Sequence, residues 1–124
     1  MIFPGLNSAD KGRFAEDFTV HFLMLSGYSV LSRNYSVYRI GEIDIVALKG
    51  ETIIFIEVKG RVNEELFAGY EGLVPLKKLR KIQRTASIYM DNNQVGDLNC
   101  KIVLAYVHIA RDKYHTKINF RTLL

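Results

Sequence analysis

Residues 52–59 read Thr-Ile-Ile-Phe-Ile-Glu-Val-Lys. A run this apolar and this rich in isoleucine suits a strand buried on both faces, at the centre of a sheet. It then ends on two charges, Glu57 and Lys59. A central strand accommodates charge only where the charge finds a partner, because an unpaired ion in a low-dielectric interior costs at least several kcal/mol. The strand therefore predicts both the middle of the fold and the place where its chemistry would sit.

The flanking segments supply the rest of the sheet. Residues 40–48, Ile-Gly-Glu-Ile-Asp-Ile-Val-Ala-Leu, read as the preceding strand, and the short link Lys49-Gly50-Glu51 predicts a hairpin between the two. Residues 28–35, with Tyr28, Val30 and Leu31, read as a strand before it. Lys101–Ile109 and residues 117–123 read as a fourth and fifth, separated by an Arg111-Asp112-Lys113 turn.

Residues 8–26 predict a first helix. Ser8 is its expected cap, Phe14, Phe18, Phe22 and Leu25 its core face, and Gly27 its stop. A second helix is expected from Pro75, as its first residue, to about residue 90, with Leu79, Ile82, Ala86 and Tyr89 on one face. Between the third strand and this helix, residues 60–73 read as a glycine-bearing loop. The order is α-β-β-β-α-β-β, an α/β fold with helices packed on a mixed central sheet.

The chain has 124 residues, so one domain spanning 1–124 is expected. The N-terminus has no basic region followed by an apolar run, and no stretch approaches the ~20 apolar residues of a membrane span. A soluble cytoplasmic protein without membrane association is the expectation. Cys100 is the sole cysteine, which excludes an intrachain disulfide and a cysteine-based zinc site, and it reads as a small buried thiol. His21, His108 and His115 are scattered without metal spacing and read as structural or unassigned.

Residues two apart on a strand share a face, so Glu57 lies with Lys59, and Asp44 with Glu42. A hairpin turning at residues 49–51 sets Asp44 within about one residue of a position opposite Glu57. Two carboxylates brought together repel unless a cation lies between them. Magnesium, or manganese in its place, suits such a pair, with the Val58 carbonyl as a third oxygen ligand. Lys59 would orient an attacking water or neutralise developing charge. The competing reading is a salt bridge among Asp44, Glu57 and Lys59 at the strand ends, the commoner fate of charges on strands taken alone.

Asp44, twelve intervening residues and Glu57-Val58-Lys59 together resemble the PD-(D/E)XK nuclease motif. The wider set of Gly27-Tyr28, Arg33-Asn34, Gly41-Glu42-Ile43-Asp44-Ile45-Val46-Ala47 and Phe55-Ile56-Glu57-Val58-Lys59-Gly60-Arg61 resembles the YraN-type family, small bacterial proteins similar to archaeal Holliday junction resolvases. Gly12 and Glu16 match that family's Gly-x-x-x-Glu in the first helix, and Lys78 and Ala86 match in the second. The resemblance spans roughly residues 10–90. It implies a restriction-endonuclease-like fold, metal binding by Asp44 and Glu57, and Lys59 as the catalytic lysine. It also implies that Glu16 reaches the site as an extra carboxylate, against the plainer reading of a solvated helix residue. Glu42 would support Asp44, or else pair with Arg61 or Arg39. Three positions depart from the family: Leu79 stands where glutamine is usual, Gly60 replaces the threonine of Lys-Thr-Arg, and the fourth strand enters through Asn99-Cys100-Lys101 without the expected aspartate.

The net charge of +4, from 17 basic and 13 acidic residues, permits an anionic partner without requiring one. Its distribution is more telling. Lys77, Lys78, Arg80, Lys81 and Arg84 fall within eight residues, opposite the apolar stripe of the second helix. A solvated helix face is the ordinary reading of such a run; beside a nuclease-like cluster, phosphate contact is favoured. Arg61, Arg33 and Arg39 would extend it. Phe67 and Tyr70 would stack on a base or pack onto the domain.

The expected function is a metal-dependent endonuclease acting on DNA, with branched or structured DNA as substrate. A non-catalytic nucleic-acid-binding module and a protein-interaction factor in DNA uptake or repair are the alternatives. By analogy with resolvases that work across two-fold junctions, the resemblance allows a homodimer.

Overall fold

The computed structural model describes residues 7–62 and 74–124. In chain order it contains α1 (Ser8–Leu25), β1 (Ser29–Val37), β2 (Gly41–Lys49), β3 (Thr52–Val62), α2 (Leu76–Asn93), β4 (Asn99–Ile109), a short 3₁₀ turn (Lys113–His115) and β5 (Lys117–Thr122). The strands form one open sheet in the order β1-β2-β3-β4-β5. β3 and β4 run parallel, joined through α2 as a parallel crossover requires, and the other neighbours are antiparallel.

β3 is central, and Ile53, Phe55 and Ile56 are fully buried. One face of the sheet carries Ile43, Val46, Ile53, Phe55 and Ile102 against Ile82, Ala86 and Tyr89 of α2. The other carries Ile45, Ala47, Ile54, Ile56, Val103 and Ala105 against Leu23 of α1. Tyr89 stands edge-on to both Phe55 and Tyr35, its ring 5.7 and 5.0 Å from theirs, which fixes α2 over the β1–β3 half of its face.

The first helix buries a different stripe from the one expected. Ala15, Thr19 and Leu23 face the sheet; Phe14 and Phe18 are half-buried at its flank, Phe22 is exposed, and Leu25 is 89% exposed. The cause is a close helix–sheet approach. A Cβ at Gly60 would stand 2.8 Å from the Ala15 Cβ, so α1 comes down on a contact line of small residues and the phenylalanines are turned aside. A side chain at position 60 would require α1 to shift away from the sheet, which suits Gly60 there.

Other expectations need smaller corrections. Asn7, not Ser8, caps α1, its Oδ1 accepting the Asp10 N–H at 2.8 Å. Pro75 is the N-cap of α2 rather than its first residue. β3 does not end at Lys59 but pairs with β4 as far as Val62–Ile109, and the rest of the expected loop, including Phe67 and Tyr70, lies outside the described residues. Cys100 is exposed, because it lies near the outer end of β4 rather than in its buried middle. Gly27 does end α1, at φ 91°, where an L side chain would be strained. Among the described residues no helix is long and apolar enough to cross a membrane.

Candidate active site at the strand fork

β2 and β3 pair from Lys49–Thr52 to Ile45–Ile56 and then part. Beyond that point β2 continues with β1 as far as Gly41, and β3 with β4 as far as Val62. The two central strands thus open a fork, and continuing their register sets Asp44 level with Glu57 at its mouth. The Val58 N–H, left without a strand partner there, donates to Asp44 Oδ2 at 2.8 Å. A residue's N–H and C=O face the same side of a strand, so the Val58 carbonyl is directed to the fork as well.

Glu57 is 4% exposed and follows Phe55 on the α2 side of β3. Its Oε2 is shielded from solvent, and no neutral donor among the described residues hydrogen-bonds to it. Two ammonium groups meet it instead: Lys78 forms an ion pair with it, and Lys59 lies at 4.0 Å. Lys59 thus shares the face of Glu57, as the alternation of a strand predicts. Lys78 was expected on the outer, phosphate-facing side of α2. Its position near the helix start turns it inward over the fork, where a buried carboxylate without a counterion would be untenable.

The Asp44 carboxyl is pushed up to about 8, chiefly by burial, then by its hydrogen bond with Glu57 and the charge of Glu57; the Val58 N–H opposes this and Glu16 adds to it. The shift favours the protonated form of Asp44, the direction expected when a buried carboxyl lies beside a second acidic group. Burial holds Lys59 below the usual lysine range, with the nearby Lys78 adding to the effect and Glu57 opposing it. Burial also acts against the charged form of Lys78, but the hydrogen bond and charge of Glu57 outweigh it and raise its pKa.

Glu16 lies on the other side of Asp44, yet it is neither a free carboxylate nor a merely solvated one. Its Oε1 accepts from Arg33 Nε at 3.2 Å, Arg33 Nη2 at 3.0 Å and Asn34 Nδ2 at 3.1 Å. Arg33 Nη2 also bonds Asp17 Oδ1 at 2.7 Å, and Asn34 holds its place with φ 53°. Arg33 is thereby withdrawn from the basic surface it was expected to extend. The sequence signal was present, since Glu16 and Arg33-Asn34 belong to one composite pattern, but nothing in a linear pattern says that its parts touch. Glu42 is exposed and forms no ion pair with Arg39 or Arg61: Arg39 lies over the Tyr38 ring, and Arg61 bonds the Gly60 carbonyl. Lys77, Arg80, Lys81 and Arg84 are exposed along α2, as expected.

The donors present fit a magnesium ion. Two adjoining carboxylates and a carbonyl directed at the same gap make an all-oxygen set of the kind it accepts, completed by water and substrate phosphate. Among the described residues no group of three or more His, Cys, Asp or Glu side chains gathers to hold a metal, so any such ion would rest on this smaller set.

Taken together, these features define a mixed α/β protein with a five-stranded open sheet, two helices, and a paired-carboxylate, two-lysine site at a strand fork. Comparison with known sequences assigns it further: the chain belongs to the uncharacterised protein family UPF0102, which matches residues 15–114. A UPF0102 protein of Dictyoglomus turgidum is 44% identical over 90 residues, 73% of this chain and 75% of its own. One from Alkaliphilus oremlandii is 37% identical over 87% of this chain and 91% of its own. One from Clostridioides difficile is 33% identical over 92% of this chain and 98% of its own.

Proposed function

We propose that this chain is a magnesium- or manganese-dependent endonuclease of the PD-(D/E)XK type on a restriction-endonuclease-like fold, hydrolysing phosphodiester bonds in branched or structured DNA. The observation that carries the reading is the pairing of Asp44 with buried Glu57 in the fork, beside Val58 and under two lysines. Burial and the neighbouring Glu57 drive the Asp44 carboxyl toward its protonated form, which disfavours two charged acids side by side. A divalent ion removes that conflict directly.

In this reading Asp44, Glu57 and the Val58 carbonyl would hold the metal, which would supply Lewis acidity toward a phosphoryl oxygen and an attacking water. Lys59, on the same face as Glu57, orients that water and offsets the charge that develops on the phosphate. Its lowered pKa brings it nearer to proton exchange at working pH. Lys78, which pairs with Glu57 at the fork, would be placed to meet a substrate phosphate were an ion to offset the Glu57 charge. Lys77, Arg80, Lys81 and Arg84 hold the DNA backbone without reading its sequence.

The test is a manganese titration followed by electron paramagnetic resonance, paired with cleavage of labelled branched DNA. One tightly held ion is expected, lost in Asp44→Ala, with cleavage lost in both Asp44→Ala and Lys59→Ala while circular dichroism stays unchanged. DNA binding without any manganese site would replace this reading with that of a non-catalytic binding module.

A further inference from the structure

Each arm of the fork is met by a helix, from opposite faces of the sheet, and each at a glycine. On the β3 arm, α1 comes down on Gly60, where an added Cβ would stand 2.8 Å from the Ala15 Cβ. On the β2 arm, α2 comes down on Gly41, where an added Cβ would stand 2.7 Å from Thr85 Oγ1 and 3.3 Å from the Lys81 carbonyl oxygen. Gly41 lies at the end of that arm, where it pairs with Val37, and Asp44 follows in the same strand.

The backbone at Gly41 does not call for glycine, because the left-handed glycines are Gly27 and Gly50. What the position excludes is the side chain itself. Thr85 does not yield readily: it is fully buried, its hydroxyl donates to the Lys81 carbonyl at 2.8 Å, and a β-branched side chain is stiff in a helix. The next neighbour is helix backbone. Space at Gly41 is therefore made by moving α2 relative to β2.

That movement falls on Lys78. It lies two turns before Thr85 on the same face of α2, roughly 10 Å along the axis. One face of the helix thus meets Gly41 through Thr85 and Glu57 through Lys78. The depth at which α2 seats on Gly41 sets how far the Lys78 ammonium reaches over the acids.

We propose that Gly41 is a positioning residue for the fork: it lets α2 seat deeply enough for Lys78 to meet Glu57. Its functional part rests on the metal and phosphate reading of the fork, in which Lys78 covers Glu57 until an ion offsets that charge. A plain packing contact has different consequences. Overfilling it costs stability but leaves the surroundings of Lys78 unchanged.

The experiment compares the full chain with Gly41→Ala and with Gly96→Ala, a control where an added Cβ meets open space. Thr85→Val enlarges the same seat from the helix side and carries the test if Gly41→Ala does not fold, as judged by circular dichroism. The first readout is acetylation of Lys78 by acetic anhydride in EDTA, followed by mass spectrometry and normalised to exposed Lys101. Lys78 is expected to react about threefold to fivefold faster in Gly41→Ala, the scale of losing a partly exposed ion pair. The second readout is manganese affinity by electron paramagnetic resonance, expected to rise about threefold as the competing ammonium withdraws. In a Lys78→Met background, Gly41→Ala is expected to add nothing to that rise. Unchanged Lys78 acetylation in the folded variants overturns the proposal, as does manganese affinity that falls in step with stability. A wild type that holds no manganese, with Lys78 still quickened by Gly41→Ala, removes only the metal reading. Manganese held at the fork with Lys78 indifferent to Gly41 removes only the positioning role.

Discussion

Asp44 lies between two acidic neighbours that the protein treats in opposite ways. On the α1 side, Glu16 is locked: one oxygen takes three donors from Arg33 and Asn34, and the guanidinium is braced again by Asp17. On the α2 side, Glu57 is more deeply buried yet held by two lysines, one in an ion pair and one at 4.0 Å. A guanidinium fork presents several donors in fixed directions, while an ammonium is a compact charge on a flexible stem. The first arrangement suits a joint that must not move. The second suits a carboxylate whose counterion is exchangeable. The difference makes Glu16 a tie between α1 and β1 and is consistent with the proposed metal-holding role of Glu57.

The sharpest way to break this contrast is to neutralise each acid in turn. Glu57→Gln is expected to lower manganese-supported cleavage of branched DNA by a factor of about 100 or more, the scale of removing one electrostatic participant. Glu16→Gln is expected to lower it by less than about tenfold and to act mainly through stability. Equal losses in single-turnover cleavage would erase the distinction.

The next effect is pH dependence. The folded Asp44 pKa, near 8, lies above that of the unfolded chain, so between the two the native state binds the extra proton. The metal-free protein should therefore lose stability as pH rises from about 4 to about 8, by up to about 1.4 kcal/mol per pH unit, and level off above that. Asp44→Asn should remove this slope from urea-unfolding curves taken across the range. A slope that survives the substitution would place the titrating group elsewhere.

Removing an exchangeable counterion should matter less, and in a way the metal repairs. Lys78→Met is expected to destabilise the metal-free protein by about 1–2 kcal/mol. That is less than the ~3–5 of a fully buried pair, because Lys78 is 42% exposed and Lys59 remains. Manganese should raise the melting temperature of this variant more than that of the wild type, since the ion supplies the missing charge. An equal rise in both would mean that Lys78 and the ion do not compete.

The smallest effect is expected at the clamp. Arg33→Ala should cost about 1 kcal/mol in urea unfolding, given that the guanidinium is partly exposed. It should leave manganese affinity by calorimetry within about twofold. A larger loss of affinity would make Glu16 part of the metal site after all.

Much of this was legible in the chain. The apolar run ending at Glu57 marks the central strand, and the short link at Gly50 carries enough register information to bring Asp44 level with Glu57. What escaped was partnership between side chains. The composite pattern contains Glu16 and Arg33-Asn34 but not their contact; the basic run of α2 contains Lys78 but not the inward turn that separates it from Arg80 and Arg84. The α1 face was misread for a related reason. Phenylalanines at helical spacing look like core, and only the close approach over Gly60 reveals that Ala15 and Thr19 form the contact line.

Residue patterning set the kinds of element, their order, and the pair of β-segments that carry the acids, because periodicity and turn chemistry are local. Tertiary structure alone decided where β2 and β3 part, which cation meets which carboxylate, and how closely each helix seats on the sheet. Those outcomes depend on helix–sheet distance and on pairing between segments far apart in the chain, and no single stretch of residues encodes either.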